Sequence, residues 1–537
     1  MVWGACMQQT RLSRRQLVRS VFSLAGVVSA AALLEACSST ASTPAAPAAT
    51  TAPPAAAATK PAAAATTAPA AAAATKPAAV AAASPVAAGA TSVTVTATPA
   101  AEAAGVVAPK AARGELADQT IVVAISGGPE ADAHTRLAAK FTEYTKGMVK
   151  VRVEELPRGT PGSAKALTTL QGQSDAWDVL SVTSTNFTQW GQAGFMAPLK
   201  TFMANPDLFN AQAYNLDDFP KALLEIPTAK GELIGFPQEA STLMFFYRRD
   251  LLKKYGIAEP GPKGYSWKEL LDNALALKPK LAADGLTDVF PLVFGVKATG
   301  HASVQAWNAF WSYGQELFDD KWNPQWTSEK ANTAMTMLTD FLFKHQVVSE
   351  GIVGYEYPEV LTALQQNKAV MALQWNAAAP TVLDASKSPD WGPNAAFSVY
   401  PYEPTAGPDQ KRVQESVWAQ CVSSFSKKQE AAFSYITWFT SKVVARDYVT
   451  NGGGSSGRSS LLTDPAIVAK NPHYPAVLNG FNLLHRLPSL TEWGYVNDSI
   501  ANPDFSSIWS KQLSVADGLK KANQETIDYL KDQGVIS

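Results

Sequence analysis

The stretch "TIVVAISGGPEADAHTRLAAKFTEYTKGMVKVRVEEL", Thr120 to Leu156, decides the fold. Thr120 to Ile125 is a short apolar run stopped by Ser126-Gly127-Gly128-Pro129, and a helix-period stretch follows to about Tyr144. Val149 to Leu156 alternates polar and apolar, as a strand does. Beyond it, Ser163 to Gln173 reads as a helix and "WDVLSV", Trp177 to Val182, as a strand. Strand, helix, strand, helix, strand is the opening of a doubly wound α/β sheet, in which ligands gather at the carboxyl ends of the strands. Those ends are Ser126-Gly127-Gly128 and Thr183-Ser184-Thr185-Asn186, all small or polar. Ser126, Gly127 and Asn186 are therefore candidate solute contacts, although the same residue types also serve ordinary turns.

Upstream, the chain carries an export address. "SRRQLVRSVF" opens with Ser13-Arg14-Arg15, the paired arginines of a twin-arginine signal, and the apolar run Val21 to Leu34 follows. That run is about 14 residues, short of the roughly 20 a membrane span needs and suited to a signal-peptide core. It ends in "LLEAC", which resembles a bacterial lipobox with Cys37 as the lipidated residue and Glu35 as a bulky member at −2. Residues 1–36 are thus read as a signal peptide, with Met7 as an alternative start to Met1, and a plainly cleaved signal or an uncleaved anchor as the other options. Residues 37–113 are nearly all Ala, Pro and Thr, with "TTAPPAAAATKPAAAA" followed at once by "TTAPAAAAATKPAAVA". Recurrent proline breaks each helix, and too few large apolar side chains are present to form a core. The segment reads as a disordered tether reaching about 230 Å if fully extended as polyproline.

The remainder is ordinary globular material of roughly 420 residues, enough for two domains. A formal net charge of −1 argues against nucleic acid or an acidic membrane surface as partner. Of three cysteines only Cys421 falls in this part, in the apolar-leaning "SVWAQCVSS", so it reads as a packing residue. The five histidines are scattered without metal-ligand spacing, and neither a metal nor a cofactor is expected.

"LIGFPQEASTLMFFYRRDLLKKYGI", Leu233 to Ile257, reads as strand, turn, strand and a helix closed by Gly256. "SWKE" at Ser266 and "SKKQ" at Ser426 read as capping boxes. "NGGGSSGRSS", Asn451 to Ser460, comes within one residue of a P-loop and also contains G-x-S-x-G. A P-loop needs a buried strand before it and a lysine where Arg458 stands, and the nucleophile elbow also needs a strand running into its serine. A helical pattern precedes the segment, so it reads as a binding loop. Its glycines, Gly453 and Gly454, let backbone N–H groups approach a ligand, and Arg458 supplies donors.

The chain resembles the extracellular solute-binding proteins of family 1, the sugar-binding receptors of ABC importers. The resemblance is carried by "WDVLSVTSTNFTQWGQAGFMAPL", "GFPQEASTLMFFYRRDLLKKYGI" with "SWKELLDNA", "LTALQQNKAVMALQWN", "VWAQCVSSFSKKQEAAFSYITWFTS" and "GGGSSGRSSLLTDP", in the family's order. Ser416-Val417 replaces the glycine pair usual before a tryptophan at Trp418, and Asn367 replaces a usual glycine. The resemblance implies a two-lobed periplasmic-binding-protein-like fold of type II, each lobe a doubly wound sheet flanked by helices, with the hinge crossed more than once. Lobe one is then 115–236 plus 412–458, and lobe two 237–411 plus 459–537.

It also implies a monomeric receptor, without catalysis, that captures a mono- or oligosaccharide and passes it to ABC permease subunits, lipid-anchored outside the cytoplasm through Cys37. Sugar sites combine aromatic platforms with carboxylates, amides and guanidinium groups. By that chemistry Trp375 and its neighbour Asn376, Trp418, Trp307 and Glu239 join the candidates. Trp307 and Trp311 lie four apart on one helix face, a spacing more often found in a core, and Trp190 is similar, while Trp267 and Trp438 lie in amphipathic helical patterns and read as packing residues. A lipid-anchored hydrolase would need a paired acid and base, which no motif marks, and a polyamine or peptide receptor would show many cleft carboxylates.

Overall fold

The computed structural model describes residues 107–157 and 160–537. The expected twin-arginine segment, Cys37 and most of the expected tether lie outside the described residues. Ordered structure begins before the expected boundary at 113. A short helix, α1, spans Pro109–Arg113 with proline in its first turn, and Val107, Ala108 and Ala111 are buried. The Lys110 N–H donates to Asp207 O at 2.9 Å, so this segment is tied to the fold and is not tether.

The first lobe is built on five strands: β1 (Gln119–Ser126), β2 (Val149–Leu156), β3 (Val179–Thr183), β4 (Gly235–Ser241) and, much later in the chain, a strand at Ser416–Val422. β1 runs parallel to β2 and to β3, with α2 (Pro129–Tyr144) and α3 (Thr160–Gln171) as the crossovers. Ile121 to Ile125 are all buried because a central parallel strand is covered on both faces. β2 lies at the edge, and its alternation with charged Lys150, Arg152 and Glu154 keeps that edge soluble.

The second lobe holds β5 (Leu243–Arg248), β6 (Phe290–Val293), β7 (Ala369–Trp375) and β8 (Ala395–Val399), in the order β8-β5-β7-β6. The strand at Ser416–Val422 is β9. It lies antiparallel between β3 and β4, completing the order β2-β1-β3-β9-β4. The chain is therefore two-lobed α/β, with sheets that mix parallel and antiparallel strands.

The sequence reading placed a turn between β4 and β5. What separates them is Thr242 alone, and the strands do not pair; each enters a different sheet. The expected division at 236 falls inside β4, whose pairing with β9 continues to Ser241. The second crossing also comes later than 411, because Val413–Gln414 pairs with Leu484–His485 before β9 begins at Ser416. At the third, Ser460 is still bound to lobe one, its N–H and hydroxyl both donating to Asp218 at 2.8 Å.

Local signals fare unevenly. Ser266 and Glu269 form the expected reciprocal cap on the helix Trp267–Ala283. Ser426 does not: its helix starts at Gln429, and the Ser426 hydroxyl donates to buried Asp178 at 2.6 Å while accepting from Lys428 N–H at 2.9 Å. Cys421 is fully buried against Gly235, where a side chain would collide with its sulfur.

Candidate functional site

Because β9 runs against its neighbours, its N-terminal end lies beside the carboxyl ends of β1 and β3. Trp418 pairs with Thr183 on one side and Glu239 on the other. These ends open onto a cleft of about 580 Å³, walled opposite by Leu487 to Asp498 and by Tyr529 from the last helix, Val515–Asp532. Thr491 closes one rim by donating to Gln192 at 3.3 Å.

Of the expected contacts, Ser126, Asn186 and Trp418 line this cleft. Ser184 fixes its floor, with its Oγ accepting the Val417 N–H at 2.7 Å. Thr183 and Thr185 share a hydroxyl bond of 2.9 Å, and the Asn186 amide donates to Thr183 at 3.3 Å. Trp418 is half-buried. Gly127 sits just beyond Ser126, outside the lining, where a Cβ would come 2.8 Å from a Glu155 carboxylate oxygen.

The opposite wall was missed by the sequence reading. Within "TEWGYVND", Thr491 to Asp498, Trp493 is buried while Tyr495 is 51 % exposed and lies on Tyr529, ring centroids 4.3 Å apart at 22°. Val496–Ala501 is a π-helical turn, a distortion that recurs at functional sites and that periodicity does not reveal. Two aromatics, an amide and two carboxylates within eight residues were the available signal.

Four other candidates gather at the hinge instead. The Asn376 Oδ1 accepts the Thr242 N–H at 2.7 Å, and its amide donates to the Ser455 hydroxyl at 2.8 Å. Glu239 is buried, accepts from the Tyr448 hydroxyl at 3.0 Å and bridges to Ser456. The glycines of the loop serve this contact. A Cβ on Gly454 (φ +108) would lie 2.7 Å from the Glu239 carboxyl carbon, and one on Gly453 would lie 2.4 Å from the Tyr448 ring. Behind Glu239, the Gln238 amide donates to Tyr448 at 3.0 Å and its carbonyl faces His134 Nε2 at 3.1 Å. That network assigns the proton to Nε2, leaving Nδ1 to accept from Tyr435, and burial lowers the His134 pKa to about 4. Trp375 stands next to Asn376 at the end of β7, half-buried and away from the cleft lining.

Two candidates are core residues. Arg458, expected as a loop donor, is 1 % exposed and lies between the rings of Tyr214 and Phe219. Its guanidinium is spent on Asp218 at 3.2 Å and on the carbonyls of Thr440, Tyr214 and Asn215. Trp307 is fully buried against Trp326, Trp493 and Phe505. Its indole N–H donates to Asn497 at 2.8 Å, so it holds a cleft residue from behind.

Hydroxyl and amide groups dominate the lining, with three carboxylates, Glu415, Glu492 and Asp498, and no lysine or arginine among the described residues. Among those residues, too, no group of three or more His, Cys, Asp or Glu could hold a metal ion.

Comparison with known proteins bears on the fold and the family. A probable amino-acid ABC transporter periplasmic-binding protein of Sinorhizobium fredii is 27% identical over 272 residues, 49% of this chain and 57% of that protein, so the chain spans little more than half of that relative. A mannitol-binding protein of Pseudomonas aeruginosa is 22% identical over 420 residues, 75% of this chain and 88% of that protein. Among solved structures, maltose-bound MalE3 of T. maritima superposes with a TM-score of 0.64 at 21% identity, covering 76% of this chain and 100% of that one. A ribitol complex of an ABC transporter solute-binding protein from Agrobacterium radiobacter K84 gives 0.65 at 22% identity, covering 77% and 99%. The profile of the bacterial extracellular solute-binding proteins matches residues 127–445, more than half of the sequence, and the chain belongs to that family.

Proposed function

We propose that this protein is the solute receptor of an ABC importer and takes up a neutral polyol or carbohydrate without altering it. The observation that carries the reading is the composition of the cleft. Trp418 on one wall and Tyr495, backed by Tyr529, on the other offer aromatic faces, while Ser126, Thr183, Asn186 and Asn497 offer hydroxyl and amide groups between them. Polyols and sugars present the same pairing of C–H faces and hydroxyls. The mannitol, maltose and ribitol named for the relatives support it. By the same reading the receptor works as a monomer, exported by its twin-arginine segment and held at the outer face of the membrane by a lipid on Cys37. Changing Cys37 to Ala releases the protein from membranes or leaves an unprocessed precursor.

A second reading is favoured by one observation, the Glu492 and Asp498 carboxylates in the lining with no lysine or arginine beside them among the described residues: a cationic solute such as a polyamine. The experiment is calorimetric titration and thermal shift with D-mannitol, ribitol, maltose, neutral amino acids and spermidine. A ligand at a hundred times its Kd raises stability by about 2.7 kcal/mol. Stabilisation by a polyol or sugar is expected; stabilisation by spermidine alone decides for the second reading.

A further inference from the structure

Glu415 occupies an unusual place. It is the last residue before β9, at the second crossing between lobes, and is 4 % exposed. Its backbone N–H donates to His485 O at 3.0 Å. It lines the interlobe cleft and also a second cavity of about 600 Å³ behind it, bounded by Glu316, Lys411, His485 and Arg486, and among the described residues it alone lines both. Its carboxyl meets the Leu487 N–H, yet Oε2 has no hydrogen-bond partner. A buried carboxyl oxygen left unpaired is costly, so proteins rarely keep one without use.

We propose that Glu415 is a specificity-determining residue of the cleft, its unpartnered carboxyl oxygen bonding a hydroxyl group of a neutral polyhydroxylated solute. The proposal rests on the receptor reading above and deepens it, by saying what kind of solute the carboxyl selects. Burial raises the Glu415 pKa to about 8, and Arg486 only partly opposes this. The lining of the same cleft carries two further carboxylates, Glu492 and Asp498. The group is therefore a protonated acid at neutral pH. It can donate its O–H to one solute oxygen while its second oxygen remains an acceptor. An anionic solute would meet the neighbouring carboxylates, and a cation would have to ionise Glu415 before pairing with it.

The test uses two variants of the full mature protein with D-mannitol, ribitol, maltose and spermidine as probes, read by calorimetry and by melting of the unliganded protein. Glu415→Gln copies the neutral acid, with a donor group on one side and an acceptor oxygen on the other, and is expected to bind the preferred polyol or sugar within about threefold of the wild type. Glu415→Leu is expected to weaken that binding at least tenfold, with an unliganded melting temperature no lower than wild type. Wild-type affinity in Glu415→Leu overturns the proposal, as does an equal loss in both variants, which would mark an ionised acceptor. If no polyol or sugar binds the wild type, the receptor reading fails on its own. Glu415 is then decided by melting: a fall in Glu415→Gln reveals a partner within the protein and overturns the proposal, while an unchanged or higher value supports the unpaired carboxyl.

Discussion

Asn376 holds Thr242 from both sides: its side-chain carbonyl accepts the Thr242 N–H at 2.7 Å, and its own N–H donates to the Thr242 carbonyl at 3.0 Å. Thr242 is the single residue between the two sheets, and the same Asn376 amide reaches Ser455 on the returning chain. Two crossings are thus fastened to each other by one side chain. Asn376→Ala leaves the buried Thr242 N–H without its partner, and a loss of about 1–3 kcal/mol in unliganded stability is expected by urea unfolding. Asn376→Asp keeps the acceptor and loses the donor to Ser455, so it should fall between the two.

Tyr495 and Trp307 should behave oppositely. Tyr495→Ala removes an exposed platform and is expected to weaken solute binding by about 0.5–1.5 kcal/mol with little change in unliganded melting. Trp307→Ala opens a cavity in the core and is expected to cost about 3–5 kcal/mol of stability. Measuring affinity and melting on both variants checks the assignment. Normal binding by Tyr495→Ala would remove that ring from the site.

Arg458 carries a structural charge. Arg458→Ala leaves Asp218 buried beside it without a counter-charge, and a loss of about 3–5 kcal/mol is expected. Arg458→Met with Asp218→Asn should recover much of that loss, because the pair is then removed together. Calorimetry on the folded fraction should find solute affinity unchanged in the double variant.

The pH profile of unliganded stability has two limbs. His134, His301 and His473 are held by burial near 4, 4 and 3, below the ordinary 6.5. The unfolded chain binds their protons first, so stability falls as pH drops from 6.5 through those values. Glu415 is held near 8, above the ordinary 4.5, so the folded chain keeps its proton longer and stability falls as pH rises from 4.5 to 8. Each group contributes a slope of at most about 1.4 kcal/mol per pH unit. Three histidines outweigh one carboxyl on the acid side, and Glu415 governs the decline above 6.5. A maximum close to pH 6.5 is expected in melting curves, and Glu415→Gln should flatten the alkaline limb alone.

The sequence was most legible where local physics acts alone. The apolar run ending at Ser126, the alternation of β2 and the reciprocal cap at Ser266 each follow from neighbouring residues, and each stands in the fold. Thr242 could not be read as a sheet-to-sheet crossing, because a turn and a crossing leave the same local pattern. Arg458 misled because a glycine-rich surround suggests ligand access, whereas those glycines make room for the Glu239 carboxyl and the Tyr448 ring. Tyr495 and Tyr529 lie far apart in the sequence and meet only through the packing of the last helix, so no spacing could pair them.

The late return of β9 has a consequence for synthesis. Until Ser416–Val422 has left the ribosome, β3 and β4 have no strand between them, and two apolar edges stand open at the centre of the first lobe. Open edges of that kind are templates for association with other chains. The N-terminal half cannot complete its own sheet as it emerges, so a chain terminated anywhere before Ser416 is an aggregation hazard, not a smaller folded unit.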